Sequence, residues 1–175
     1  MTHKENYINN KRNNMKNLIV FILFFTVNSF VLANERIEQV LNNFHQAAAN
    51  ADAKTYFNLL TKDSVFLGTD ATERWTKEEF KSFVIPYFEK GVGWAYTPTK
   101  RNITISHEGD VAFFDELLAN ESYGTCRGSG VLFKTAKGWR IAQYNLSIPL
   151  PNALAKEITS TISQHEIAVK AELKK

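Results

Sequence analysis

Apolar residues in the first part of the chain recur at helical steps. Ile37, Val40, Leu41, Phe44 and Ala48 stand three and four residues apart, the stripe of a helix from about Glu35 to Ala51 with one buried face. Asp52 suits the N-cap of a short second helix that buries Tyr56, Phe57 and Leu60, and Thr61-Lys62-Asp63 breaks it. A short strand, Ser64 to Gly68, follows. Thr76-Lys77-Glu78-Glu79 predicts a capping box, in which the Thr hydroxyl and the Glu three residues later satisfy the first free amides of a helix. That third helix carries Phe80, Phe83, Val84, Tyr87 and Phe88 and ends near Gly91. The period then changes. Arg101 to His107, Val111 to Leu118, Ser122 to Lys134 and Trp139 to Ile148 are β-branched and aromatic runs between turn residues, and read as successive antiparallel strands. The last two form a hairpin through Thr135-Ala136-Lys137-Gly138, and Pro149 and Pro151 stop the sheet. Leu154, Ile158, Ile162, His165 and Val169 mark a closing amphipathic helix, Ala153 to Leu173. Helices first and a curved antiparallel sheet afterwards make an α+β domain, with the helices on one face of the sheet.

Composition supports one such domain. The chain has 175 residues, 44% hydrophobic and 13% aromatic, enough for a single core and too apolar for a disordered or collagen-like chain. The formal net charge of +3 is a property of the N-terminus: residues 1–33 hold Lys4, Lys11, Arg12 and Lys16 against Glu5, and the remainder has 17 basic and 17 acidic residues. Composition therefore disfavours nucleic acid as a partner. The same segment reads as an export signal, basic up to Lys16, apolar from Leu18 to Leu32, with cleavage expected after Ala33. Its apolar run is short for the roughly 30 Å of a bilayer core, so no stable membrane anchor is expected after cleavage, and the product is periplasmic or secreted. Met15 offers a more ordinary start than Met1. The expected organisation is a signal peptide over 1–33, a domain over 34–151 and a C-terminal amphipathic helix over 152–175. Cys126 is the one cysteine, so no disulfide forms within the chain, and inside a strand-like run it reads as a small buried hydrophobe or a reactive thiol.

Four segments carry a family resemblance: Asp63-Ser64-Val65-Phe66-Leu67-Gly68-Thr69-Asp70, Glu73-Arg74-Trp75, Cys126-Arg127-Gly128-Ser129-Gly130-Val131-Leu132, and Gly138-Trp139-Arg140-Ile141-Ala142-Gln143-Tyr144-Asn145-Leu146-Ser147. With the order of elements, they resemble the SnoaL-like branch of the nuclear transport factor 2-like superfamily from about Glu35 to Pro151. The resemblance implies a cone-shaped cystatin-like fold, a strongly bent sheet around a long helix, with a pocket between them and dimerisation through the sheet. Isomerases, cyclases, dehydratases and pure binding modules share that scaffold, so the activity must be read from the pocket.

Strand alternation offers two inner faces for the last hairpin. Cys126, Gly128, Gly130 and Leu132 with Ala142, Tyr144, Leu146 and Ile148 are the expected pocket face, because the glycines leave volume and Tyr144 supplies a polar tip. Arg127, Ser129, Val131 and Phe133 with Trp139, Ile141, Gln143, Asn145 and Ser147 have the size and mixed polarity of a dimer face. On the preceding strand Val111, Phe113, Asp115 and Leu117 share a side, which makes Asp115 the candidate base, the role an Asp plays in the resembled isomerases, or else the partner of Arg127 or Arg140. Glu116 takes its place if the register is reversed. Tyr144 is the candidate donor, and His45, Trp75, Trp94 and Cys126 are candidate pocket residues. His45, His107 and His165 lack the close spacing of metal ligands, and no cofactor is expected. The expected function is binding of a small, mostly apolar molecule, with cofactor-free acid/base chemistry of isomerase, cyclase or dehydratase type; the alternative is a non-enzymatic module that dimerises or binds an envelope protein.

Overall fold

The structure, a computed structural model, describes residues 32–172. The expected export signal lies, apart from Leu32 and Ala33, outside the described residues. The first helix, α1, covers 32–49. It is followed by α2 (Ala53–Asn58), β1 (Leu60–Leu67), β2 (Arg74–Thr76), α3 (Lys77–Phe88), β3 (Thr97–Ile105), β4 (Val111–Asn120), β5 (Gly124–Thr135), β6 (Gly138–Ser147) and α4 (Ala155–Glu172).

Local chemistry explains the helix starts. The Asp52 carboxylate accepts from the Thr55 amide at the head of α2. Thr76 and Glu79 form the expected capping box at α3, with the Thr76 amide donating to Glu79 Oε2 at 2.8 Å. The stripe on α1 buries Ile37, Leu41, Phe44, Ala47 and Ala48, and Phe80, Val84 and Phe88 of α3 pack into the same core.

All strands join one curved sheet in the order β2-β1-β6-β5-β4-β3. Two features depart from the sequence reading. Thr61-Lys62-Asp63 belongs to β1 and does not end a helix, and β1 runs parallel to β6, so a sheet expected to be antiparallel has one parallel pair. Leu60 lies beside Ile141 and Val65 beside Gln143, a jump that lets the early strand follow the bend of β6. β6 carries its own bulge: Val131 faces Gln143 whereas Leu132 faces Ile141, leaving Ala142 as the extra residue. The inward side therefore changes parity there. Trp139 and Ile141 are buried before the bulge and Tyr144 after it, so the inner face mixes the two alternation sets that the sequence offered.

The closing helix is expected over Ala153 to Leu173 and found as α4, but it buries no residue. Among the described residues, no helix is long and apolar enough to cross a membrane.

Candidate functional site

The register of β4 sets the centre of the site. Ala112, Phe114, Glu116 and Leu118 point inward, each 3% exposed or less. The neighbouring positions Phe113 and Asp115 are exposed on the outer face. This corrects the expectation that Asp115 faces the cone: it accepts a hydrogen bond from Asn102 Nδ2 at 2.9 Å, directly across on β3, and pairs with neither Arg127 nor Arg140. The inner carboxylate is Glu116.

Its surroundings follow from strand pairing. Glu116 on β4 stands between Arg101 on β3 and Gly128 on β5. Arg101 Nε donates to Glu116 Oε2 at 2.7 Å, and its Nη2 lies 2.6 Å from the same oxygen. Arg101 Nη1 donates to Glu38 Oε2 at 2.6 Å and to Asn42 Oδ1 at 2.7 Å, which ties the sheet to α1. One turn along α1, His45 Nε2 lies 2.6 Å from Glu116 Oε1, and the Tyr144 hydroxyl donates to that oxygen at 3.1 Å. Gly128 provides the space. A Cβ there would meet Glu116 Oε1 at 2.8 Å and the Tyr144 hydroxyl closer still.

The electrostatics are those of a buried but well-supported anion. Burial would raise the Glu116 carboxyl, but the hydrogen bond from His45, the charges of His45 and Arg101 and the Arg101 hydrogen bond outweigh it and hold the group below its ordinary value. Glu116 is thus an ionised acceptor. Burial, then the adjacent Glu116 charge and hydrogen bond, push the Tyr144 phenol well above its usual value, so it stays a neutral donor. With Nε2 turned to Glu116, Nδ1 is the ring nitrogen left for another partner.

His45 and Tyr144 also line a cavity of about 20 Å³, together with Phe44, Ala48, Tyr56 and the half-buried Phe66, Trp94, Tyr96 and Leu146. A space of that size holds about one water molecule. The aromatic walls are packed against one another. Phe66 stacks on Tyr144 with centroids 5.6 Å apart, and Phe44 stacks on Tyr56 at 4.4 Å. Of the expected pocket residues, His45, Trp94 and Tyr144 line the cavity. Trp75 does not; it stacks on Phe80 and Phe83 at the β2–α3 corner. Cys126 is fully buried on the inner face of β5 and away from the cavity wall, the position of a small hydrophobe. Among the described residues, no cluster of His, Cys, Asp or Glu has the geometry of a metal site.

Arg101, Glu38 and Asn42 are absent from the sequence reading of the site, yet each left a trace. Glu38, Asn42 and His45 recur at steps of four and three, a polar stripe beside the apolar one. Arg101 shares a strand side with Ile103 and Ile105, an unusual place for an isolated cation.

The family model of the SnoaL-like domain matches residues 37–151. No curated protein matches the chain in sequence. Solved structures share the fold. A nuclear transport factor 2-like protein of unknown function from Pseudomonas putida is 15% identical, with a TM-score of 0.60 over 70% of this chain and 90% of that one. A protein of unknown function with a cystatin-like fold from Nostoc punctiforme is 14% identical, with a TM-score of 0.55 over 66% of this chain and 90% of that one. A candidate dehydratase of the nuclear transport factor 2-like family from Streptomyces avermitilis is 13% identical, with a TM-score of 0.58 over 69% of this chain and 98% of that one.

Proposed function

Because this chain belongs to the SnoaL-like domain family, we propose that it is an exported domain that binds a small, mostly apolar organic molecule in the cone and moves a proton on it without a cofactor. The observation that carries this reading is the His45–Glu116–Tyr144 cluster, in which His45 and Tyr144 line a mostly aromatic cavity. In it His45 is the proton carrier. Glu116 fixes the orientation of the imidazole through Nε2, while Tyr144, kept neutral, completes the carboxylate's hydrogen bonding. A fold relative named as a candidate dehydratase is consistent with proton removal and return as the chemistry. The cavity takes only about one water, so the ligand enters by displacing one of the half-buried side chains of its wall, Phe66, Trp94, Tyr96 or Leu146. The basic and apolar run before Ala33 supports export to the periplasm or the medium.

A second reading, self-association through the sheet, draws on the outer face. Phe113 is 56% and Phe133 46% exposed, and Phe113, Val131 and Gln143 lie abreast across β4, β5 and β6. The neutralisation of Glu116 by Arg101 also suits a module that performs no chemistry.

Thermal denaturation of the protein against small apolar and carboxylic compounds tests the first reading, since a ligand of the native state raises the melting temperature by mass action. A shift that His45→Gln or Tyr144→Phe removes places the ligand in the cone and justifies a turnover assay on that compound class. A library that shifts neither the wild type nor the variants leaves self-association as the function.

A further inference from the structure

Although basic and acidic residues balance from residue 34 onward, the cations are not evenly placed. Two open grooves, of about 550 and 430 Å³, flank the β5–β6 turn at the end of the cone opposite the β4–β5 loop. The larger is lined by Lys62, Lys77, Lys137 and Arg140 against a single carboxylate, Glu78. The smaller has Arg36, Lys134, Lys137 and Arg140 and no carboxylate. Among the described residues none of these six cations is in a salt bridge.

The turn is a firm platform for them. Lys137 N donates to Thr135 Oγ1 at 3.1 Å, Thr135 Oγ1 donates to Gly138 O at 2.7 Å, and Gly138 takes a φ of 90° that suits glycine. Arg140 Nη1 is held by the Trp139 carbonyl at 2.7 Å, and Lys77 Nζ by the Leu60 carbonyl at 3.3 Å. Burial, together with the neighbouring charges of Lys81 and Arg140, lowers the Lys77 ammonium from its ordinary value despite Glu78. Gathering like charges this way opposes folding unless an anion offsets them.

We propose that this end of the domain is a binding site for a polyvalent phosphate, a molecule with at least two phosphate groups that straddles the β5–β6 turn. Lys137 and Arg140, shared by both grooves, contact its centre, while Lys62 and Lys77 on one side and Arg36 and Lys134 on the other take its ends. An Arg beside several Lys fits phosphate oxygens, the Arg as a fork and the Lys as point charges. Nucleic acid fits less well: the one aromatic ring in either lining, Trp139, is 3% exposed and offers no surface for a base to stack on. The site is separate from the cavity at His45 and does not depend on the function assigned there.

Calorimetric titration of the full chain with inorganic tripolyphosphate at low ionic strength tests the site, alongside co-sedimentation with phosphatidylcholine vesicles with and without cardiolipin, whose headgroup carries two phosphates. The expected result is saturable binding that salt weakens and that Lys137→Glu or Arg140→Gln weakens about tenfold, while Lys156→Glu on the distant exposed α4 leaves it unchanged. Binding of tripolyphosphate assigns the site to soluble phosphates, and Lys137-dependent binding of anionic vesicles alone assigns it to a lipid headgroup. Absence of both, or equal weakening by Lys156→Glu, overturns the proposal. Unchanged melting temperatures of the variants exclude misfolding as the cause of any loss.

Discussion

At the residue scale, the energetics centre on one carboxylate with no exposed side chain and three polar partners. Glu116→Gln leaves Arg101 buried with a weaker acceptor, and should destabilise the domain by about 3 kcal/mol in urea unfolding, as expected when one member of a buried charged pair is removed. The pH dependence follows from the sign of the shift. The folded-state pKa of Glu116 lies below its ordinary value, so its contribution is fully present above the usual carboxylate range and is lost as pH falls through the lower folded value. The unfolding free energy should therefore fall less between about pH 7 and about pH 3 for Glu116→Gln than for the wild type, and that difference isolates Glu116 from the other carboxylates. Tyr144→Phe deletes one hydrogen bond to an ion and should cost about 1.5 kcal/mol by the same measurement. A buried carboxylate, a tyrosine and a histidine were all visible as candidates in the sequence. Which of Asp115 and Glu116 turned inward was not, because Val111-Phe113-Leu117 and Ala112-Phe114-Leu118 are equally apolar and the strand carries no polar face to break the tie.

At the scale of elements, close approach and capping decide what each segment tolerates. Gly93 sits where a Cβ would come within 3.0 Å of the Ala48 and Ala49 carbonyl oxygens at the end of α1, whose Ala48 carbonyl also accepts the Trp94 amide. Gly93→Ala must push apart two backbone segments and should cost about 2–3 kcal/mol, measured by chemical denaturation. Thr76→Ala removes the capping box of α3 and should cost about 1 kcal/mol. Deletion of α4, by contrast, should change the stability of the remaining domain by less than about 0.5 kcal/mol, because none of its residues is buried. The helices were legible because their stripes and caps are local signals. The three-residue β2 was not: Arg74-Trp75-Thr76 is too short to show a period, and it exists because it pairs with Val65, Phe66 and Leu67.

For the whole molecule, the sheet separates a cavity face from an outer face that exposes Phe113 and Phe133 among the described residues. If the outer face joins two copies, Phe113→Glu should convert a dimer to a monomer in light scattering while the cavity variants leave the mass unchanged. The amphipathic stripes, the capping residues, the hairpin at Gly138 and the absence of a second cysteine are properties of neighbouring residues, and they determined the α+β class, most helix boundaries and the family resemblance from the sequence alone. The parallel β1–β6 pair, the bulge at Ala142 that switches the inner parity of β6, the inward turn of Glu116 onto Arg101 and the collection of six cations around one turn were decided only by the tertiary structure. The physical reason is register: a strand with apolar residues on both sides has two nearly equivalent orientations along its length, and only pairing with distant strands, and the cost of burying a charge without its partner, selects between them.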